Sequence, residues 1–122
     1  MLVREIMTPH PVTATVDTSV KQALGLLAEH HITALPVLDL DGALVGVLSE
    51  GDLIRDLVRQ DPRGHERPTA GTPAPPRSVD QLMTRQPVCV RPATDVASAV
   101  RLLVSRGFRS LPVLDDTGRL VG

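Results

Sequence analysis

Two kinds of hydrophobic spacing follow one another along the chain, and the same succession occurs twice. Apolar residues in 20–28 recur at i, i+3, i+4, i+7 and i+8, which is the spacing of one helix face. Residues 96–104 repeat this pattern. Thr18 or Ser19 precedes the first segment, and residues 94–95 precede the second, as polar side chains able to cap a first turn. The pattern predicts one amphipathic helix in each half.

Each predicted helix is followed by two short apolar runs around a glycine turn. These runs are residues 35–38 and 44–48 around Asp41-Gly42, and residues 111–114 and 120–121 around Thr117-Gly118. This arrangement predicts a β-hairpin in each half, because glycine accepts the positive φ that such turns need. Pro36 and Pro112 lack an amide donor, so we expect each at a strand start or on a sheet edge.

The two halves are copies of one unit. Residues 3–46 align with residues 79–122 without a gap, and 19 of the 44 positions are identical, where chance predicts about three. This is an internal duplication. We predict an α/β fold with repeat 1 over 1–60 and repeat 2 over 79–122, each reading strand, helix, strand, strand, helix.

Residues 61–78 separate the repeats and are rich in proline. Proline fixes φ and lacks an N–H, so we predict a linker without secondary structure. Repeat 2 stops at Gly122, before any counterpart of residues 47–58. We therefore expect repeat 2 to lack its final strand and helix, either because the chain was trimmed or because a continuing polypeptide or partner supplies them.

Composition narrows the classes of partner. Lys and Arg number 13 against 14 Asp and Glu, and Phe108 is the only aromatic residue. Neither a strongly basic surface for duplex nucleic acid nor a series of base-stacking rings is therefore expected. Cys89 is the only cysteine, which excludes an internal disulfide and a Cys-x-x-Cys site and favours a cytoplasmic location. No apolar run approaches the ~20 residues that span a bilayer, so no membrane partner is expected.

The segment Ser49-Glu50-Gly51-Asp52 has two interpretations. It fits a capping box, in which the first and fourth residues bond each other's backbone at a helix start. Alternatively, the Asp52 carboxylate accepts both hydroxyls of a ribose, while the Ser49 hydroxyl and the helix start favour a phosphate. The two roles are compatible, since a cap can also face a cleft.

Taken together, these motifs resemble the cystathionine beta-synthase (CBS) domain family. They are Met-Thr, Pro-Val, an amphipathic helix, LPVLD, a glycine turn, LVGVLS and an aspartate three positions after the serine. The tandem arrangement resembles the regulatory Bateman module. The resemblance implies two repeats related by a pseudo-two-fold axis, with clefts that bind adenosine-containing ligands such as AMP, ADP, ATP or S-adenosylmethionine. It implies no catalysis and no required cofactor, but a homodimer and a fused or separate effector protein.

The resemblance also implies which residues line the clefts. Those of the first cleft are Asp52, Ser49, Val47, Leu48, Val88, Cys89, Arg109, Leu111 and Pro112. Those of a second, weaker cleft are Thr13, Thr33, Leu35 and Pro36. Taken singly, the apolar members are more typical of a core and Arg109 of a solvated surface.

Other functions find less support in the sequence. A ligand-free dimerisation or interaction module is the main alternative, given the apolar helix faces and the shortened second repeat. An enzyme is not expected, because no nucleophile–base pair, metal cluster or glycine-rich phosphate loop is present. His30 and His31 would point about 100° apart on a helix, which disfavours a shared metal. Cys89 could be a redox sensor, but a small half-buried hydrophobe is the more usual role.

Overall fold

The computed structural model describes residues 1–59 and 78–122. Its strands are β1 (Ala14–Thr15), β2 (Ala34–Leu38), β3 (Leu44–Ser49) and β4 (Thr84–Arg85), and its α-helices are α1 (Val20–His30), α2 (Glu50–Arg59) and α3 (Val96–Arg106). The strands form one sheet in the order β1-β2-β3-β4, in which β1 and β2 are parallel and the other pairs antiparallel. The predicted α/β class is confirmed. The predicted linker over 61–78 lies outside the described residues except for Ser78.

The two predicted amphipathic helices begin at the predicted caps. Ser19 Oγ accepts from Gln22 N at 3.0 Å, and the Gln22 side chain accepts in return from Ser19 N. Asp95 Oδ2 accepts from Ala97 N at 3.1 Å and caps α3 with this single bond. These bonds satisfy amide donors that the first turn of a helix otherwise leaves unpaired.

The first residues of each repeat lie on the other repeat. Val79 is fully buried in the core of repeat 1, beside the α1 and β2 side chains. Val3 is buried with Val90 and Val113 in the core of repeat 2. A short 3₁₀ turn carries each of these valines, at Val3–Glu5 and at Val79–Gln81. Each repeat therefore completes the hydrophobic core of the other.

These exchanged segments make equivalent hydrogen bonds, which is the mark of a pseudo-two-fold arrangement. Val3 N donates to Thr94 O at 2.8 Å, and Val79 N donates to Thr18 O at 2.9 Å. The paired positions in the two bonds differ by one repeat length. The pseudo-two-fold symmetry that the family resemblance implies is thus realised in the backbone contacts between the halves.

The glycine turns form as predicted, with φ of +89° at Gly42 and +83° at Gly118. The predicted place of Pro36 is wrong, because Pro36 is the third residue of β2 and lies opposite Val47. Thr33 O accepts from Glu50 N, so bonds to β3 alternate from residue 33 and the nitrogen of Pro36 faces the β1 side. Pairing with β1 begins only at the next residue, so the ladder loses no donor at Pro36.

Candidate ligand cleft between the repeats

A cleft of about 520 Å³ lies where the two repeats meet. Repeat 1 contributes the end of β3 and the first turns of α2, and repeat 2 contributes β4 and the loop that follows α3. Antiparallel pairing of β4 with β3, in which Val47 lies opposite Thr84, brings these walls together. The position of the cleft therefore follows from the exchange of segments between the repeats.

Asp52 and Ser49 form the capping box predicted from the sequence. Asp52 N donates to Ser49 Oγ at 3.1 Å, and Ser49 N donates to Asp52 Oδ2 at 2.8 Å. Arg55 Nη2 donates to the other carboxylate oxygen, Oδ1. The capping interpretation of this segment is therefore confirmed by the geometry.

The same Asp52 carboxylate lines the cleft, although the residue is only 6% exposed. An ionised carboxylate offers about four lone-pair sites over its two oxygens. The donors from Ser49 and Arg55 occupy two of them, which leaves acceptor capacity for a ligand hydroxyl. Capping and ligand contact are thus geometrically compatible at this residue, and the ligand contact stays a prediction.

Most residues predicted for the first cleft lie on its walls. These are Asp52, Ser49, Val47, Val88, Arg109 and Pro112. The Leu48 side chain does not line the cleft, because it is fully buried in the core of repeat 1. Successive side chains of a strand point to opposite faces, so Val47 faces the cleft and Leu48 faces away from it.

Cys89 and Leu111 are also absent from the cleft walls. The Cys89 side chain is half-buried, and its Sγ donates to Pro87 O at 3.4 Å. Burial raises the pKa of this thiol by disfavouring the charged thiolate. Leu111 packs against the core of repeat 2. Neither residue lines the cleft, and for both the ligand contact stays a prediction.

The residues predicted for a second cleft do not form one group. Thr33 lines the first cleft instead, since its carbonyl accepts from Glu50 N at 2.8 Å and fixes it beside the start of α2. Leu35 is fully buried in the core of repeat 1, so its side chain cannot wall a cleft. For Thr13 and Pro36, both half-buried, the second cleft stays a prediction.

Sequence reasoning missed several residues of the cleft. They are Ala34, Glu50, Gly51, Ile54, Arg55, Thr84, Pro87, Arg106, Gly107, Phe108 and Ser110. Arg55 lies three residues after Asp52 on a helix, and this spacing brings opposite charges together. The ion pair between Arg55 and Asp52 was therefore predictable from the sequence. Arg106 ends α3, and residues 107–110 form the loop that follows it. This stretch contains no recognisable motif, and it reaches the cleft only because it follows α3.

The described parts of the chain give no sign of a membrane span or metal centre. Within residues 1–59 and 78–122, no helix is both long and apolar enough to cross a bilayer. The same residues place no three His, Cys, Asp or Glu side chains together as metal ligands.

Comparisons with known proteins agree with this architecture. The family model for the CBS domain matches residues 3–59 and 79–122. The chain is 35% identical over 138 residues to the CBS domain-containing chloroplast protein CBSX2 of Arabidopsis thaliana, covering 98% of this chain and 58% of CBSX2. It is 32% identical over 117 residues to inosine-5'-monophosphate dehydrogenase of Mycobacterium tuberculosis, covering 95% of this chain and only 19% of that enzyme. The chain thus spans little more than half of CBSX2 and a minor part of the dehydrogenase.

Solved structures show the same fold with adenosine compounds bound. A crystal structure of CBSX2 in complex with AMP has a TM-score of 0.80 and 38% identity, covering 99% of this chain and 87% of that one. The CBS domain pair of protein MJ0100, in complex with 5'-methylthioadenosine and S-adenosyl-L-methionine, has a TM-score of 0.83 and 25% identity, covering 100% and 86%. From the family match, the duplication and these neighbours, the chain belongs to the CBS domain family and carries two such domains in tandem, as a Bateman module does.

Proposed function

We propose that this chain is a regulatory module that binds an adenosine-containing ligand in the cleft between its repeats. The observation that carries the proposal is the nearly buried Asp52 carboxylate on a wall of a cleft that both repeats form. A buried ionised group is costly unless it is paired. Ser49 and Arg55 pair it here, and the remaining lone pairs suit two vicinal ribose hydroxyls.

The remaining cleft surface suits a purine base. Phe108, Val47 and Pro112 supply apolar surface, and Phe108 is the only Phe, Tyr or Trp residue in the chain. An aromatic face and aliphatic side chains can cover the two sides of a planar base. The cleft volume of about 520 Å³ lies within the ~300–1,000 Å³ of small-molecule sites.

Occupancy of the cleft can be transmitted because the ligand touches both repeats. A ligand that binds one arrangement of the halves better than another shifts the population toward that arrangement. In our proposal, a second copy of the chain or a fused or separate effector protein responds to the shift. We place this regulation in the cytoplasm, and assign catalysis, where it occurs, to the effector.

Calorimetric titration with AMP, ADP, ATP and S-adenosylmethionine tests the proposal. We expect binding by the unmodified protein and a loss of about tenfold or more in Asp52→Asn, which keeps the side-chain shape but removes the charge. Asp95→Asn is the matched control, because Asp95 caps α3 and does not line the cleft. Absence of binding to all four compounds at millimolar concentration, or equal binding by Asp52→Asn, would overturn the assignment.

A second candidate, a dimerisation module, rests on exposed apolar side chains. Leu24 on α1 is 46% exposed, and its counterpart in repeat 2, Val100 on α3, is 47% exposed. Val104 on α3 is 78% exposed. A two-fold interface suits equivalent apolar positions on equivalent helices.

Light scattering at working concentration tests this candidate. We expect the mass of a dimer, and a monomer after the paired substitution Leu24→Lys and Val100→Lys. A monomeric mass for the unmodified protein would contradict it.

A further inference from the structure

The Asp52 carboxylate lines the cleft but is almost completely covered. Its side chain is only 4% exposed, so a ligand hydroxyl in the cleft meets very little carboxylate surface. Both carboxylate oxygens already accept a bond, Oδ2 from Ser49 N at 2.8 Å and Oδ1 from Arg55 Nη2. Close contact with both hydroxyls of a ribose therefore requires one of these covering groups to move.

The Ser49 amide is held in place by the backbone on both sides. Ser49 is the last residue of β3 and pairs with Ala34 of β2. The next amide along the chain, that of Glu50, donates to Thr33 O at 2.8 Å. Moving the Ser49 donor would break the end of the sheet and the first turn of α2, so this bond to Asp52 stays when the cleft is filled.

The Arg55 side chain is the covering group that is free to move. It is 71% exposed and runs back over the first turn of α2, where a Cβ at Gly51 would lie 3.6 Å from Arg55 Nη1. A long arginine side chain can turn its charged head into water without disturbing the backbone. An ion pair with one exposed partner is also weak, because water and salt screen it. The bond between Arg55 and Asp52 is therefore easily broken and remade.

We propose that Arg55 is an autoinhibitory latch on Asp52, which opens when a ligand enters the cleft. This inference rests on the proposed function, since it concerns the regulation of the same site. In the closed form the Arg55 guanidinium holds Oδ1 of the carboxylate. In the open form it turns into water, and two vicinal hydroxyls donate to the carboxylate in its place. The buried charge keeps its donors in both forms, and ligand affinity is set by a competition between an ion pair and a diol.

Uncharged adenosine is the probe that isolates this competition. Salt weakens the ion pair that closes the latch but does not screen a neutral ligand. Adenosine should therefore bind the unmodified protein more tightly as the salt concentration rises. An arginine that only supported the fold would not give this dependence, because its loss of pairing would not free an acceptor for the ligand.

Calorimetric titration with adenosine at low and high salt tests the latch. Arg55→Met keeps the aliphatic stem but removes the charge and the donors, so it should bind adenosine about threefold more tightly at low salt and gain nothing further at high salt. Arg55→Lys keeps the charge and should keep the salt dependence. Arg101→Met is the matched control, because Arg101 also donates to a side chain three residues back, Ser98 Oγ at 3.2 Å, and does not line the cleft. It should bind adenosine like the unmodified protein.

Two results would overturn the latch while leaving adenosine binding intact. One is equal or weaker binding of adenosine by folded Arg55→Met at low salt. The other is an adenosine affinity of the unmodified protein that does not rise with salt, and this titration decides alone if Arg55→Met fails to fold. Failure of both adenosine and AMP to bind either the unmodified protein or Arg55→Met would overturn the proposed function itself.

Discussion

Gly46 of β3 lies directly against the side chain of Met83, which belongs to the segment that repeat 2 contributes to repeat 1. A Cβ at Gly46 would come within 2.5 Å of Met83 Sδ and 2.9 Å of Thr84 O. The equivalent pair is Gly122 and Met7, where a Cβ would come within 2.6 Å of the sulfur. The absence of a side chain at each glycine thus leaves room for the segment that the other repeat contributes. The same close contact occurs at equivalent positions in both repeats.

Replacing Gly46 with alanine should destabilise the fold. The methionine side chain can shift, but the Thr84 carbonyl belongs to the backbone of β4, so we expect a loss of about 1–3 kcal/mol from overpacking. Gly25→Ala is the control, since Gly25 lies within α1 with nothing within 4 Å of its Cβ position. That change should stabilise by roughly 0.5–1 kcal/mol. Urea denaturation measures both values, and equal effects of the two variants would contradict the close approach.

Val79→Ala should loosen repeat 1, although Val79 belongs to repeat 2 in the sequence. The valine is fully buried among the side chains of repeat 1, and removing two methyl groups costs about 2 kcal/mol including the cavity. Hydrogen exchange should lose protection in β2 and β3. Val3→Ala should in the same way reduce the hydrogen-exchange protection of α3 in repeat 2, because Val3 is buried in the core of that repeat. Lost protection confined to the variant's own sequence repeat would show that the segments are not exchanged.

Asp115 should make the turn of residues 115–119 sensitive to acid. The Thr117 hydroxyl, donating at 2.6 Å, and then the Arg119 amide hold the pKa of this exposed carboxyl below its ordinary value near 3.8. A lowered folded-state pKa means that the stabilisation is complete above the ordinary value and is lost as pH falls through the folded value. Carboxyl NMR should give a lower pKa for Asp115 than in a peptide. Thr117→Val should raise it, and an unchanged titration in that variant would contradict the assigned cause.

Cys89 should react slowly with alkylating reagents at neutral pH. Burial raises the pKa of its thiol, and the thiolate is the reactive form. The alkylation rate should therefore rise at higher pH than for a free cysteine peptide. Because Cys89 does not line the cleft, saturating AMP should leave the rate nearly unchanged. Rapid modification at pH 7 would contradict this environment and favour the redox-sensor interpretation.

Local patterns predicted helices α1 and α3 and the hairpin of β2 and β3, but not how the repeats exchange segments. The second predicted hairpin forms only isolated bridges, such as the one between Leu114 and Leu120. The caps at Ser19 and Asp95 and the turn at Gly42 depend on neighbouring residues only. The spacing of residues in the sequence was therefore sufficient to predict them. The burial of Val79 in repeat 1 depends on contacts far apart in sequence, which no local pattern encodes. Pro36 was misplaced because the extent of β1 decides whether its missing donor matters.

The cleft was predictable where its residues formed a motif. Ser49 and Asp52 were found through the capping box, which also positions the carboxylate. The Leu48 side chain is buried in the core of repeat 1, because strand alternation points it away from the face on which Val47 lies. Arg106 and Phe108 were missed, because the end of α3 and the loop after it reach the cleft only through the packing of the two repeats.

A crystal structure of the protein grown with AMP tests the central claim most directly. The account predicts AMP between the repeats, with both ribose hydroxyls within hydrogen-bonding distance of the Asp52 carboxylate. AMP bound elsewhere, or bound in the cleft with its ribose turned away from Asp52, would contradict the claim.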